Sequence, residues 1–116
     1  MLFRSGDTHI NGRLTLGENT ADNGGLRLAL MAYLQSHANA DLLDGFTPEQ
    51  RVFLGWAQVW CEDSRPEAER LKATTNPHAS NRYRVNGPLS NMPEFAKAFS
   101  CKADAPMVRT NACRVW

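Results

Sequence analysis

Thr47-Pro48-Glu49-Gln50 fixes the start of a helix more firmly than any other stretch of the chain. Thr47 can act as the N-cap, its hydroxyl accepting from a backbone N–H of the first turn. Pro48 then takes the first helical position, where a missing N–H is no loss. Gln50, at the third, can return a hydrogen bond to the Thr47 N–H and complete a capping box. Phe53, Trp56, Ala57 and Trp60 follow at i, i+3, i+4 and i+7. That is a broad, bulky face at helical spacing, and it reads as core packing.

The other elements are read the same way. Residues 17–37 carry Leu26, Leu30, Tyr33 and Leu34 at i, i+4, i+7 and i+8, which predicts a helix. Gly24 and Gly25 interrupt it at a cost of about 1 kcal/mol each relative to Ala. An adjacent pair suggests that another backbone approaches closely there. Residues 36–46 form a polar connection ending in Asp44-Gly45-Phe46. Ser64-Arg65-Pro66-Glu67 opens a third helix that runs to residue 73 or so. Residues 74–90 hold three asparagines and two prolines in quick succession with Gly87, and read as a long irregular segment. Asn91, with Glu94 three residues on, predicts a cap and a fourth helix over residues 91–99. Residues 1–15 read as mostly loop, and the tail from residue 100 as irregular. The expected class is all-α, about four helices with long irregular connections.

The chain has 116 residues, one domain's worth or part of a larger one, and is taken as a single partial domain over 1–116. Its 13 Lys and Arg against 12 Asp and Glu give a net charge of +1. That balance offers no electrostatic case for a nucleic-acid partner or an anionic membrane surface. At 42% apolar and 22% charged residues it is neither disordered nor a membrane protein by composition. The first residues lack the apolar core of a secretory signal. By themselves, three cysteines without a signal suggest reduced cytosolic thiols, at least one of them unpaired.

Few residues can carry chemistry. Glu18 and Asp22 lie four apart on a helix and so share a face. They are either two solvated acids favoured by the helix dipole, or a metal ligand and the group that orients its neighbour. His78 sits in the irregular segment with Arg82 and Arg84 after it. It is either an exposed loop histidine or a donor to a developing oxyanion, with an arginine gripping a substrate carbonyl. His9 and His37 have no motif around them and read as surface residues. A zinc site needs three or four convergent ligands, and neither a His-Glu-x-x-His nor a Cys-x-x-Cys occurs in this sequence. Nothing orients any cysteine as a nucleophile.

Gly17-Glu18-Asn19-Thr20-Ala21-Asp22-Asn23-Gly24-Gly25 resembles the Gly-Glu-Asn-x-Ala-Asp-x-Gly-Gly motif of the neprilysin and endothelin-converting-enzyme family of zinc metallopeptidases. Phe53-Leu54-Gly55-Trp56-Ala57-Gln58-Val59-Trp60-Cys61 with Arg65-Pro66-Glu67 is similar to that family's next block. Asn76-Pro77-His78, Arg84 and Gly87 resemble its active-site loop, and Cys113-Arg114-Val115-Trp116 its C-terminus. The likeness extends in register from about His9 onward.

The resemblance implies the C-terminal part of a gluzincin, a thermolysin-like catalytic domain that hydrolyses peptide bonds with a zinc-activated water. It makes Glu18 the third zinc ligand and gives Asp22 the task of orienting a zinc-binding histidine. It makes His78 the stabiliser of the tetrahedral intermediate and Arg84 the residue that binds a substrate backbone carbonyl. Val59 and Trp60 would line the pocket after the scissile bond, with Arg114 near the next subsite. The family's His-Glu-x-x-His helix would lie upstream, so these 116 residues alone are expected to be inactive and to hold zinc weakly. Their partners would be a peptide and the N-terminal part of the enzyme, with no membrane contact from this segment. Two departures are local: the family often has Asp where Asn76 stands, and Ala79-Ser80-Asn81 replaces its usual Ser-Pro-x.

The resemblance also changes the reading of the cysteines. Cys61, Cys101 and Cys113 fall where the family has half-cystines with upstream partners, which implies an extracytoplasmic protein. The competing reading is a non-catalytic all-α interaction module or remnant. In that reading half-exposed Phe53, Trp56 and Trp60 form a partner surface.

Overall fold

The structure of the chain is a computed structural model that describes residues 4–5 and 8–115. Five helices follow one short antiparallel pair, β1 (Arg4–Ser5) with β2 (Thr8–His9), in which Arg4 is opposite His9 and Ser5 opposite Thr8. The helices are α1 (Leu16–His37), α2 (Pro48–Val59), α3 (Pro66–Thr75), α4 (Asn81–Ser90) and α5 (Pro93–Ala98).

The core forms where α1, α2, α4 and α5 meet. Leu26 and Leu30 of α1, Phe53 of α2, Leu89 of α4 and Met92 are buried together. Leu34, Val52, Trp56, Val85, Phe95 and Phe99 pack around them. Phe53 lies edge-on to Phe95, with ring centroids 5.5 Å apart at 87°. The helical spacing of Leu26, Leu30 and Leu34 therefore does what periodicity requires, turning one face of α1 inward.

The capping box at the start of α2 is present in full. The Gln50 N–H donates to Thr47 Oγ1 at 3.2 Å, and the Thr47 N–H donates to Gln50 Oε1 at 2.9 Å. Gln50 Nε2 also donates to the carbonyl of Ala98 at the end of α5, at 2.9 Å. The same side chain thus starts one helix and ties down another. The preceding connection turns at Asp44 and Gly45, both with positive φ (52° and 80°), and brings Leu43 against Phe46. Two consecutive left-handed residues are the requirement of a tight hairpin turn.

Three expectations need correction. Residues 81–90 are a helix, not loop, although α4 contains Pro88. A proline in a helix leaves the carbonyl four residues earlier without its donor. That carbonyl belongs to Arg84, and it accepts from the Trp56 indole N–H at 2.9 Å. Packing on α1 and α2 thus supplies what local propensity lacks. Gly87 has a reason of its own: a Cβ there would sit 3.1 Å from the Tyr83 ring. Secondly, Asn91 does not cap α5. Pro93 starts that helix after an extended Met92, while the Asn91 amide donates to Asn23 Oδ1 at 2.8 Å and its oxygen accepts from the Cys113 N–H at 3.2 Å. Thirdly, the close approach expected at the glycine pair is absent at Gly25, which is exposed and has no atom within 4 Å of where its Cβ would stand, while Gly24 is buried in α1.

Phe53 is 1% exposed, so it cannot belong to a partner surface. The exposed large apolar residues lie elsewhere, at Leu16, Leu28, Leu42, Leu43, Val59 and Leu71 among others. Among the described residues no helix is long and apolar enough to cross a membrane. Because Phe53 touches every layer of the core, Phe53→Ala is expected to lower stability by about 3–5 kcal/mol in urea titrations. A loss below about 1 kcal/mol would contradict this placement.

Candidate active site

Glu18 and Asp22 lie on the first two turns of α1, on one face as their spacing requires. Opposite them stand His78, from the connection between α3 and α4, and Arg84, from α4. The facing residues pair one to one.

The inner pair is Asp22 with Arg84. Arg84 Nε donates to Asp22 Oδ2 at 2.7 Å, and Arg84 Nη2 to Asp22 Oδ1 at 2.6 Å. The side chains are only 11% and 8% exposed. Both nitrogens of one edge of the guanidinium are used, the geometry in which Arg exceeds Lys. Its flat face lies over the Trp60 ring, 3.7 Å from the centroid, and Trp60 meets Trp56 edge-on at 5.7 Å. Arg84 is therefore held by α1 through its edge and by the end of α2 through its face. Its Nη1 has no partner among the described residues.

The outer pair is Glu18 with His78. His78 Nε2 is 3.1 Å from Glu18 Oε2, with both side chains about two-fifths exposed. Asn76 Oδ1 accepts from the His78 backbone N–H and from Nδ1, each at 2.9 Å. An oxygen can only accept, so Nδ1 carries a proton and Nε2 is the end turned toward Glu18. Asn76 thus bends the backbone in an Asx turn and orients the imidazole at once. The Asp-to-Asn departure noted in the sequence leaves the orienting oxygen in place.

His78 and Arg84 line a cleft of about 170 Å³, with Trp60, Lys72, Asn76 and Asn81 among others. Val59 and Arg114 stand apart from it. Val59 is 69% exposed at the end of α2. Arg114 pairs with Glu94 of α5 at 3.3 Å, and Glu94 also meets Arg27 of α1 at 3.8 Å. Cys61, Cys101 and Cys113 are free thiols, with Cys61 and Cys113 exposed.

A further residue, Glu62, carries no recognisable signal in the sequence. Its carboxylate accepts from Ser64 Oγ at 2.8 Å, Lys72 Nζ at 3.1 Å and Asn81 Nδ2 at 2.8 Å. These hydrogen bonds, first from Ser64, then Asn81, then Lys72, together with the Lys72 charge, hold the Glu62 carboxyl at about 2, below its ordinary 4.5. Acidic spacing could not have revealed it, since its partners come from three separate places in the chain.

The model of peptidase family M13 matches residues 3–115. The chain belongs to that family. Neprilysin-1 of Caenorhabditis elegans is 46% identical over 98% of the chain. Endothelin-converting enzyme 1 of Homo sapiens is 45% identical over 92% of it. A zinc metalloprotease of Mycobacterium tuberculosis, solved in its open state, superposes with a TM-score of 0.89 at 37% identity, covering 97% of this chain and 18% of that one. The chain spans only 16% of the length of neprilysin-1 and 14% of the human enzyme. M13 membership accords with the all-helical architecture and with the order of the four motifs.

Two tests follow from the pairs and the network. Asp22→Ala leaves a buried guanidinium without its counter-charge and is expected to cost about 3–5 kcal/mol in urea titrations. Adding Arg84→Met should recover part of that loss, and strict additivity would show that the pair is not coupled. For Glu62, the depressed carboxyl favours the folded state above pH 4.5, and this contribution disappears as pH falls toward 2. Glu69 and Arg82 border the same hollow and are present in both proteins compared. The melting-temperature gap between the native chain and Glu62→Gln should therefore be constant above about pH 5 and close on acidification. A gap that persists to the lowest pH would contradict the network.

Proposed function

We propose that these residues are part of the active site of a zinc metalloendopeptidase, with peptide bonds as substrate. The observation that carries this reading is the pairing of Glu18 and Asp22 of α1 with His78 and Arg84, two residues that line one cleft. Names of the relatives, neprilysin, endothelin-converting enzyme and zinc metalloprotease, support the same class.

Glu18 suits a zinc ion as a ligand. It is a carboxylate beside His78, accessible at about two-fifths of its surface and committed to no backbone cap. Among the described residues no three His, Cys, Asp or Glu side chains gather to hold a metal. The remaining ligands and the general base therefore belong to residues other than those described. Bound zinc lowers the pKa of a water and polarises the scissile carbonyl.

The chain's own residues do the rest. His78 presents Nε2 to the cleft; with Nδ1 already protonated, Nε2 carries an N–H in the imidazolium form, and that N–H can donate to oxygen charge developing on the substrate carbonyl. Asn76 keeps that nitrogen aimed by holding Nδ1. Arg84 is gripped by Asp22 and Trp60 so that Nη1 can donate to a backbone carbonyl of the peptide. Asp22 serves Arg84 in this arrangement and can also take a histidine N–H with its remaining acceptor capacity. Trp60 supplies an apolar wall, with Val59 and Arg114 further out along the substrate. Cys61 and Cys113, exposed thiols, are suited to disulfides with other parts of a longer chain, which supports an extracytoplasmic location.

In the active protein, Glu18→Ala is expected to remove both zinc, measured by metal analysis, and hydrolysis of a quenched fluorescent peptide. His78→Ala should keep zinc but lower kcat by about 10²–10³. Zinc and activity that survive Glu18→Ala would overturn the ligand assignment.

A further inference from the structure

We infer that Glu62 is a positioning residue for His78, closing the segment that carries it from both ends. The kinetic part of this inference rests on the proposed peptidase reading; the structural part does not.

His78 lies in the five residues between the end of α3 at Thr75 and the start of α4 at Asn81. α4 is anchored in the core through Leu89 and through Arg84. α3 buries no residue at all. Apolar packing therefore secures the α4 end and Ala79, which is 6% exposed, while the α3 end is held by its contact with β2 and by polar groups. Glu62 is one of these groups. Its Oε1 takes Lys72, one turn before the end of α3, and its Oε2 takes Asn81, the first residue of α4. Ser64 Oγ shares Oε1 and lies 3.4 Å from Lys72 Nζ. One carboxylate thus spans the interval from residue 72 to residue 81. Lys72, Asn76, His78 and Asn81 all line the same cleft, so moving α3 against α4 moves the wall that holds the imidazole.

An exposed ion pair by itself contributes little to stability. Its effect here is geometric. A group that must donate to a transition state loses about 100-fold in rate for a displacement near 1 Å. Partial loosening of one end is expected to cost less, about tenfold. Loss of the clasp should thus appear in kcat and in the local motion of residues 76–80, with little change in KM or in the core.

The test uses Glu62→Ala, Asn81→Ala and their combination in the full protein, with Glu62→Gln as the conservative variant and Glu67→Ala as control. Glu67 is an exposed acid on α3 that pairs with Arg70. Two readouts are taken: amide exchange of residues 76–80 against that of α1, and steady-state hydrolysis of a quenched peptide. The expected result is exchange about tenfold faster in the segment alone and a kcat drop of similar size at constant KM. Asn81→Ala should act in the same direction, the double variant should add little to Glu62→Ala, and Glu62→Gln should restore part of both effects. If Glu62→Ala does not fold, Asn81→Ala and Glu62→Gln still decide the matter. Unchanged exchange in residues 76–80, or exchange raised equally in α1, would overturn the inference. If the unaltered protein hydrolyses no peptide, the peptidase reading fails while the exchange result still judges Glu62.

Discussion

The Asp22–Arg84 pair is the constraint around which the rest of the molecule is arranged. A guanidinium that is 11% exposed needs a counter-charge, and α1 supplies it in the bidentate form. The same residue is stacked on Trp60 and gives its backbone carbonyl to Trp56. Side chain and main chain of Arg84 thus hold three helices in one relative position. The Glu18–His78 contact, one turn along α1, can exist only because that position is fixed. The candidate site is in this sense a by-product of a structural joint, and the chemistry stands at the joint's solvent edge.

A division of labour follows. The inner pair is buried and neutralised, so it gives rigidity and a defined direction for one guanidinium nitrogen. The outer pair is half-exposed, so its members can exchange each other for a ligand. Asn76 and Glu62 stand behind the outer pair and hold it by hydrogen bonds at the surface, where apolar packing is lacking. Rigid inner groups beside adjustable outer ones let a site take up a ligand without losing its geometry.

What the sequence made legible follows the range of the forces involved. Local signals were sufficient for α2, whose capping box and aromatic face are both realised, and for the inward face of α1. They failed at α4, because Gly87 and Pro88 argue against helix and the compensating donor, Trp56, is remote in sequence. They failed at Asn91 for a similar reason, since its partners Asn23 and Cys113 are reached only in the folded chain. For the site, Glu18, Asp22, His78 and Arg84 were recognisable from motifs. Their pairing was not, because spacing says nothing about which acid meets which base. Glu62 had no signal at all.

The contact between Trp56 and the Arg84 carbonyl also binds the histories of two positions. The indole N–H meets there a carbonyl that Pro88 leaves without its helical donor. A chain that replaced Pro88 with another residue would put two donors on one carbonyl. A chain that replaced Trp56 with phenylalanine would leave that carbonyl with none. A carbonyl oxygen accepts two donors, so the first of these steps leaves every group partnered, whereas the second does not. Pro88 can therefore be lost while Trp56 stays, and the loss of Trp56 is expected only where Pro88 has already gone.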